Sequence, residues 1–279
     1  MGVWTYNRKT MGYTLLATLK TELGISDTTD DVRLERVLRD TSRWIDQYAG
    51  RRFYPQIATR TFTAPDSERL SVPDLLSVSA LATDENDDRV YELAWTSTCY
   101  DLDPPNSSSE NPPEPYTAIT ATPTSSVSFP TGAVRGVQVT GKWGYYENLS
   151  SAGSLESAVT AAATTATMKS TGPWHAGELW AVESEYVLVD AESTTTAVTL
   201  RRAQNGSVAA THSSGTVANR LTFPVVEDAC LREAARRYRA ADAPFGVAGS
   251  GEFGQASIVA KFDPLVWQNL SALRRVTVG

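Results

Sequence analysis

The hydrophobic period of this chain changes twice, and those changes constrain its fold more than any other feature. From Tyr13 to Phe53 apolar residues recur at intervals of three and four, the period of helices with one buried stripe. TLLATLKTELGI reads as a short amphipathic helix, SDTTDD as a capped loop, and VRLERVLRDTSRWIDQYAGRRF as a longer helix. The stripe of that second helix is Leu34, Val37, Leu38, Thr41, Trp44, Ile45 and Tyr48. From Gln56 to about Tyr146 the pattern alternates instead, and from Pro224 it is helical again.

Local chemistry marks where the helices begin and end. Thr28 stands three residues before Asp31, the spacing of a capping box, and Asp30 and Asp31 suit the positive end of the helix dipole. Gly50 supplies the left-handed residue that closes the hairpin. In the returning helix Pro224 fits the first turn, and Ala229, Cys230, Ala234 and Tyr238 form its predicted stripe. Asp228 with Arg232 and Glu233 with Arg237 are spaced as i,i+4 pairs, and Pro244 stops the helix. A last helix is predicted from Pro264 to Arg274, with Leu265, Leu270 and Leu273 inward and Trp267 available for contact.

The middle of the chain predicts strands over 57–63, 69–72, 75–81, 90–95, 116–119 and 136–143, each short, β-branched or aromatic, and bounded by turn residues. That spacing suits a small antiparallel sandwich or barrel. DPPNSSSENPPEP, from Asp103 to Pro115, reads as an exposed loop because proline removes donors and fixes φ. A second β module is predicted between about Ser150 and Asn219, after a small polar linker, ENLSSAGS. Its strands are expected over 157–160, 165–169, 178–182, 185–190 and 197–202, with Asn205-Gly206 as a tight positive-φ turn. The fold class is therefore α+β: a helical core from 1–55 and 222–279, a β-rich domain from 56–149, and an inserted β module from 150–221.

Composition excludes several functions. The 279 residues carry a net charge of −7, which argues against gripping nucleic acid through phosphate neutralisation. It leaves open a channel through which duplex passes without sticking. No apolar run reaches the roughly 20 residues of a membrane-spanning helix. The N-terminus lacks the apolar core of a signal peptide, so the chain reads as made in the cytosol.

Candidate chemistry is sparse. Gly249-Ser-Gly251-Glu-Phe-Gly254 spells the dinucleotide fingerprint, yet a helix precedes it and a predicted strand, Ala256 to Phe262, follows, the reverse of what phosphate binding requires. His175 and His212 lack a nucleophile in triad order, and His212 reads as a residue that holds a turn. Asp84, Glu85, Asp87 and Asp88 lack the full ligand pattern of an EF-hand and read as a solvated hairpin tip. Cys99 and Cys230 read as a strand residue and a buried apolar residue. Arg232, Arg236, Arg237 and Arg239 admit either a DNA-facing role or ion pairing, and acids at matching spacing favour pairing. No cofactor, metal or catalytic residue is assigned.

The combination of hairpin, Gly-Arg-Arg-Phe exit, long β-rich middle and returning helix followed by Ala243-Pro-Phe-Gly-Val-Ala-Gly249 resembles the head-to-tail connectors of tailed bacteriophages. The pattern from Gly177 to Gly215 resembles a small β module that recurs in phage virion proteins. The connector resemblance implies a non-enzymatic virion adaptor: a homo-oligomeric ring, commonly twelvefold, beneath the portal protein. It implies contact with the next neck or tail-completion protein, passage of genomic double-stranded DNA through the lumen without sequence-specific binding, and no membrane. By similarity Phe262 to Gly279, including Trp267, Arg274 and Arg275, would meet the portal, and the loop with Gly249, Gly251, Phe253 and Gly254 a neighbouring subunit. A ring subunit should keep apolar side chains that its own fold leaves unburied, and Trp4, Tyr6, Tyr13 and Trp267 are the expected ones. The competing expectations are a carbohydrate or host-surface binding module, which needs an exposed aromatic platform, and an enzyme, which needs a polar pocket.

Overall fold

A computed structural model of the chain describes residues 12–109, 114–145, 148–240, 247–248, 257–258 and 263–275. The fold is α+β, with helices and two six-stranded antiparallel sheets. Two compact units divide the chain: 1–50 with 148–204 and 208–279, and 51–147 with 205–207.

In the first unit, α1 (Leu16–Leu23) ends at Gly24, whose φ of 70° lets the N–H groups of Gly24 and Ile25 return to Thr21 and Lys20. Helix α2 (Asp31–Ala49) buries Leu34, Leu38, Thr41, Ser42, Ile45 and Ala49, and Gly50 closes it at φ 65° as expected. The capping box does not form. Asp30 caps α2 without a side-chain bond, because its carboxylate accepts from the Tyr238 hydroxyl at 2.7 Å, while Asp31 pairs with Lys20.

Helix α3 (Pro224–Ala240) buries Val226, Ala229, Cys230, Ala234 and Ala235 and packs on α1, α2 and α4 (Pro264–Ala272). Tyr238, expected in the buried stripe, is only partly buried because its phenol reaches for Asp30. In α4 the inward residues are Val266 and Leu270; Leu265, expected inward, is exposed. Asp263 accepts from the Leu265 N–H at 2.9 Å and Pro264 starts the helix, which sets the phase one residue away from the expected one.

The second sheet also lies in this unit. Its strands are β7 (Leu149–Ser154), β8 (Thr165–Thr167), β9 (Leu179–Val182), β10 (Glu185–Val189), β11 (Ala197–Gln204) and β12 (Val217–Leu221), ordered β7-β12-β9-β10-β11-β8. Trp174, Trp180, Met168, Val187, Val189 and Val198 fill its core. The expected linker ENLSSAGS supplies β7, which pairs with β12 through its backbone and so needs no apolar alternation. Residues 157–160 form no strand but a single bridge, Val159 with His212.

The second unit holds β1 (Gln56–Phe62), β2 (Arg69–Thr83), β3 (Leu93–Trp95), β4 (Tyr100–Asp103), β5 (Tyr116–Ala121) and β6 (Val137–Trp143), ordered β1-β6-β2-β5-β4 with β3 on β2. Two expected strands merge into β2, whose pairing with β5 shifts between Ser71 and Leu75, where Pro73 cannot donate to a ladder. Leu70, Val72, Leu81, Ile119, Val139 and Trp143 form its core. Within the loop expected from Asp103 to Pro115, Ser107–Ser109 makes one 3₁₀ turn and Asp103 ends β4. The two-residue strands β13 (Val247–Ala248) and β14 (Ser257–Ile258) pair with each other.

Candidate functional site

The helices present a continuous aromatic and cationic face at the C-terminal end of α2. Trp44 and Tyr48, one turn apart, stack with centroids 5.7 Å apart, and Trp267 of α4 packs on Tyr48 at 4.9 Å. The Arg237 guanidinium lies 5.1 Å from the Trp44 ring centroid and Arg274 lies 6.0 Å from that of Tyr48. The Arg275 N–H donates to the Ala49 carbonyl at 2.8 Å, which ties the residue after α4 to the end of α2. Trp267 remains 49% exposed on this face.

Tyr13, expected to be left unburied, is a core residue. Its N–H donates to Ser42 Oγ at 3.0 Å and its hydroxyl to the Asp46 carboxylate. Trp4, Tyr6, Gly249, Gly251, Phe253, Gly254 and Phe262 lie outside the described residues. Trp267, Arg274 and Arg275 are the candidate interface residues that the structure describes, and it brings all three to the end of α2.

The arginines of α3 have partners within the helical layer. Arg232 pairs with Asp228 at 2.8 Å, while Arg236 and Arg237 share the fully buried Glu233 at 2.6 and 2.7 Å. Arg239 donates to the Glu22 carbonyl at 3.3 Å.

A cleft of about 320 Å³ opens elsewhere in the same unit. Leu15, Leu16 and Leu38 give it apolar walls, Gly177 a backbone wall, and Glu35 and Glu192 carboxylates. Its lining comes from four separated stretches of sequence, so no local pattern announces it. His175 Nδ1 lies 2.9 Å from a Glu192 oxygen, and the Ala176 N–H donates to the other at 3.0 Å.

Two further polar clusters lie in the sheets. His212 is buried between Glu183, 2.7 Å from Nδ1, and Glu185, 2.9 Å from Nε2. Glu185, fully buried, also accepts from Arg202 Nε and Nη2 at 2.8 and 2.6 Å and from the N–H groups of Ala203 and Ala210. Asp84, Asp88 and Glu92 do converge, one oxygen from each lying within 4.8 Å of the others. Asp84, however, is buried, not solvated, and its oxygens accept the N–H groups of Asn86, Asp88 and Arg89. Those bonds hold its carboxyl below its ordinary value even though burial acts to raise it. Cys99 lies in the turn before β4 instead of in a strand, and Cys230 is buried as expected.

Residues 13–83, about a quarter of the chain, match the family described as phage gp6-like head-tail connector protein. Over that stretch the chain is similar to head-tail connector proteins of phages. No curated protein and no solved structure matches the chain. The matched stretch runs from Tyr13 through α1, α2 and β1 to the end of β2, so it includes the hairpin that bears Trp44 and Tyr48. This family is one of structural proteins of the virion, at the junction of head and tail.

Proposed function

We propose that this protein is a head-to-tail adaptor that assembles as a ring, twelvefold by family likeness, between the portal of a DNA-filled capsid and the next neck or tail protein. In this reading its lumen forms part of the channel for genomic duplex, a role that suits a net charge of −7 because phosphates find little to hold them. The observation that carries the reading is the connector match at 13–83, whose hairpin continues into a helical layer with Trp267 half exposed at its edge. A ring contact is heterologous, made by two different faces of one subunit, and an exposed indole among ordered aromatics is the kind of anchor such contacts use. The helical core, the β-rich domain and the inserted β module act as three parts, the two β parts on the outside of the ring. The portal and subunit contacts include Gly249, Gly251, Phe253, Gly254, Phe262, Trp267, Arg274 and Arg275.

The binding-module alternative is less well supported. Among the described residues of the two sheets, every aromatic side chain is buried or half-buried, so neither sheet offers an aromatic platform there.

Mass measurement of the purified chain, alone and with portal particles, tests the adaptor reading. A ring-sized species or a stoichiometric portal complex is expected; a chain that stays monomeric and ignores portal particles under every assembly condition refutes it. Alanine at Trp267 or within 249–254 should leave a folded subunit that no longer joins heads to tails.

A further inference from the structure

We infer that the exposed Arg52 of one copy, with Arg60 beside it, docks on the Asp88 and Glu92 carboxylates at the β2–β3 turn of a neighbouring copy, a contact that rests on the ring reading. Arg52 belongs to the Gly-Arg-Arg-Phe exit from α2, where the two arginines take different paths. Arg51 is held inside: its guanidinium lies 4.4 Å from the Tyr145 ring centroid, with Nε 3.6 Å from the Asp74 carboxylate. Arg52 is exposed, and its carbonyl accepts the Tyr145 N–H at 3.0 Å. Arg60 of β1 lays its guanidinium over the Trp143 ring at 4.3 Å. Burial, and then the positive charge of Arg52, pull that guanidinium below its ordinary value, and no acid offsets them. Among the described residues no carboxylate pairs with Arg52 or Arg60, whereas Arg69, Arg89, Arg201, Arg202 and Arg220 each have one. In a chain with 32 acids against 25 lysines and arginines, two guanidiniums left to each other mark a surface for an anion.

The complementary patch sits at the other end of the same sheet. Strands β1 and β6 pair from Gln56 with Trp143 to Phe62 with Val137. Arg52 precedes Gln56 at the first end; past the second, the Asp84 N–H donates to the Gly136 carbonyl at the start of the β2–β3 turn. Strand residues at about 3.3 Å each put the two patches roughly 20 Å apart. One oxygen each from Asp84, Asp88 and Glu92 lies within 4.8 Å of the others, and Asp88 and Glu92 are exposed. Asp88 accepts the Val90 N–H at 2.7 Å and Glu92 the Glu85 N–H at 3.4 Å, while Arg89, the cation of the turn, pairs with Asp87. Among the described residues no lysine or arginine pairs with Asp88 or Glu92, so carboxylates that repel one another lack a counter-charge. An incoming guanidinium fork supplies it with two parallel hydrogen bonds. Duplex phosphates could meet the arginines but would leave the acidic turn uncovered, whereas a second copy answers both patches at once. Two unlike patches at opposite ends of one sheet give a head-to-tail contact; a self-complementary patch would close a dimer. The β-rich domain thereby becomes part of the ring contact.

A charge swap tests the contact. Arg52→Glu alone and Glu92→Arg alone should each weaken self-association roughly tenfold or more in sedimentation, since each sets like charges face to face. The double variant R52E/E92R restores an opposite pair at every contact and should recover the assembly. Salt at about 1 M, where the screening length falls to about 3 Å, should weaken the wild type and the double variant alike. Circular dichroism should show all three variants folded; for any that unfolds, Arg52→Gln or Glu92→Gln keeps the bulk of the side chain and should show a smaller loss of association. If the wild type assembles and the folded single variants assemble equally well, or if the double variant fails to recover, the contact is wrong while the ring stands. Single variants that self-associate normally but lose portal or duplex binding give the arginines another partner and overturn the contact as well. A wild-type chain that never assembles overturns both.

Discussion

The Tyr238 hydroxyl donates to the Asp30 carboxylate at 2.7 Å, joining residues 208 positions apart and binding the returning helix to the start of α2. Arg33 lies over the same ring at 4.6 Å, so the phenol is held from above and at its tip. Removing the hydroxyl leaves a carboxylate without its donor while the ring contacts survive. Tyr238→Phe should therefore destabilise the helical layer by about 1.5–3 kcal/mol, the range for a hydrogen bond to a charged group. Denaturant melts followed by far-ultraviolet circular dichroism measure it, and an unchanged midpoint would mean that the bond adds nothing to the junction.

The two cysteines should differ sharply in reactivity. Cys230 is buried on α3 with its sulfur 3.5 Å from Ser42 Oγ, and burial pushes its thiol up to about 11. The Thr96 hydroxyl, with help from Ser125 and Thr98, holds the partly exposed Cys99 thiol below its ordinary value. More Cys99 is therefore thiolate at any pH below that value, and nearly all Cys230 is thiol at neutral pH. A chromogenic disulfide reagent should titrate one thiol in the native protein and the second only after unfolding; two fast thiols would contradict the packing of α3 on α2.

Sequence periodicity reveals the helices because each buries one stripe, but it fails where another force sets the register. In α4 the Asp263 cap and Pro264 set the phase, and Val266 is buried instead of Leu265. Strand β7, LSSAGS, carries no apolar alternation because backbone pairing with β12 recruits it. Pro73 looks like a break between strands, yet β2 absorbs it as a register shift. Of the candidate site, Trp267 is legible as an apolar residue near the chain end. Its stacking on Tyr48 and the distant cleft depend on contacts between stretches far apart in sequence, which no single-chain pattern encodes.

Gly206 tests a turn that requires glycine. Its φ is 77°, and a Cβ there would lie 2.0 Å from the Ile57 carbonyl oxygen. Asn205, at φ 50°, donates from Nδ2 to the Pro55 carbonyl at 2.8 Å and accepts the Ile57 N–H through its own carbonyl. Gly206→Ala should break this seating, with a loss of at least about 1–3 kcal/mol from the strained φ alone. A melt of the variant would show it, whereas Ser213→Ala, at an exposed position, should be silent.

The buried carboxylates of the second sheet should give stability terms of opposite sign with pH. Burial would raise the Glu185 carboxyl, but the Arg202 guanidinium, the N–H groups of Ala210 and Ala203, and His212 together hold it at about 2. Its contribution is present above the ordinary carboxyl value near 4.5 and fades as pH falls from there toward 2. Glu178 behaves in reverse. Burial raises its carboxyl despite Arg220 at 2.8 Å and the Trp180 Nε1–H at 2.9 Å, so its contribution is fully present below 4.5 and is lost as pH rises through the raised value. Glu178→Gln should therefore flatten the stability profile just above 4.5 and leave the acid limb intact. Arg202→Met, which strands a buried charge, should cost about 3–5 kcal/mol at neutral pH and shift the acid limb upward. Thermal melts across pH 2–8 for the wild type and both variants decide the matter, and identical acid limbs in wild type and R202M would remove Arg202 as the group that keeps Glu185 ionised.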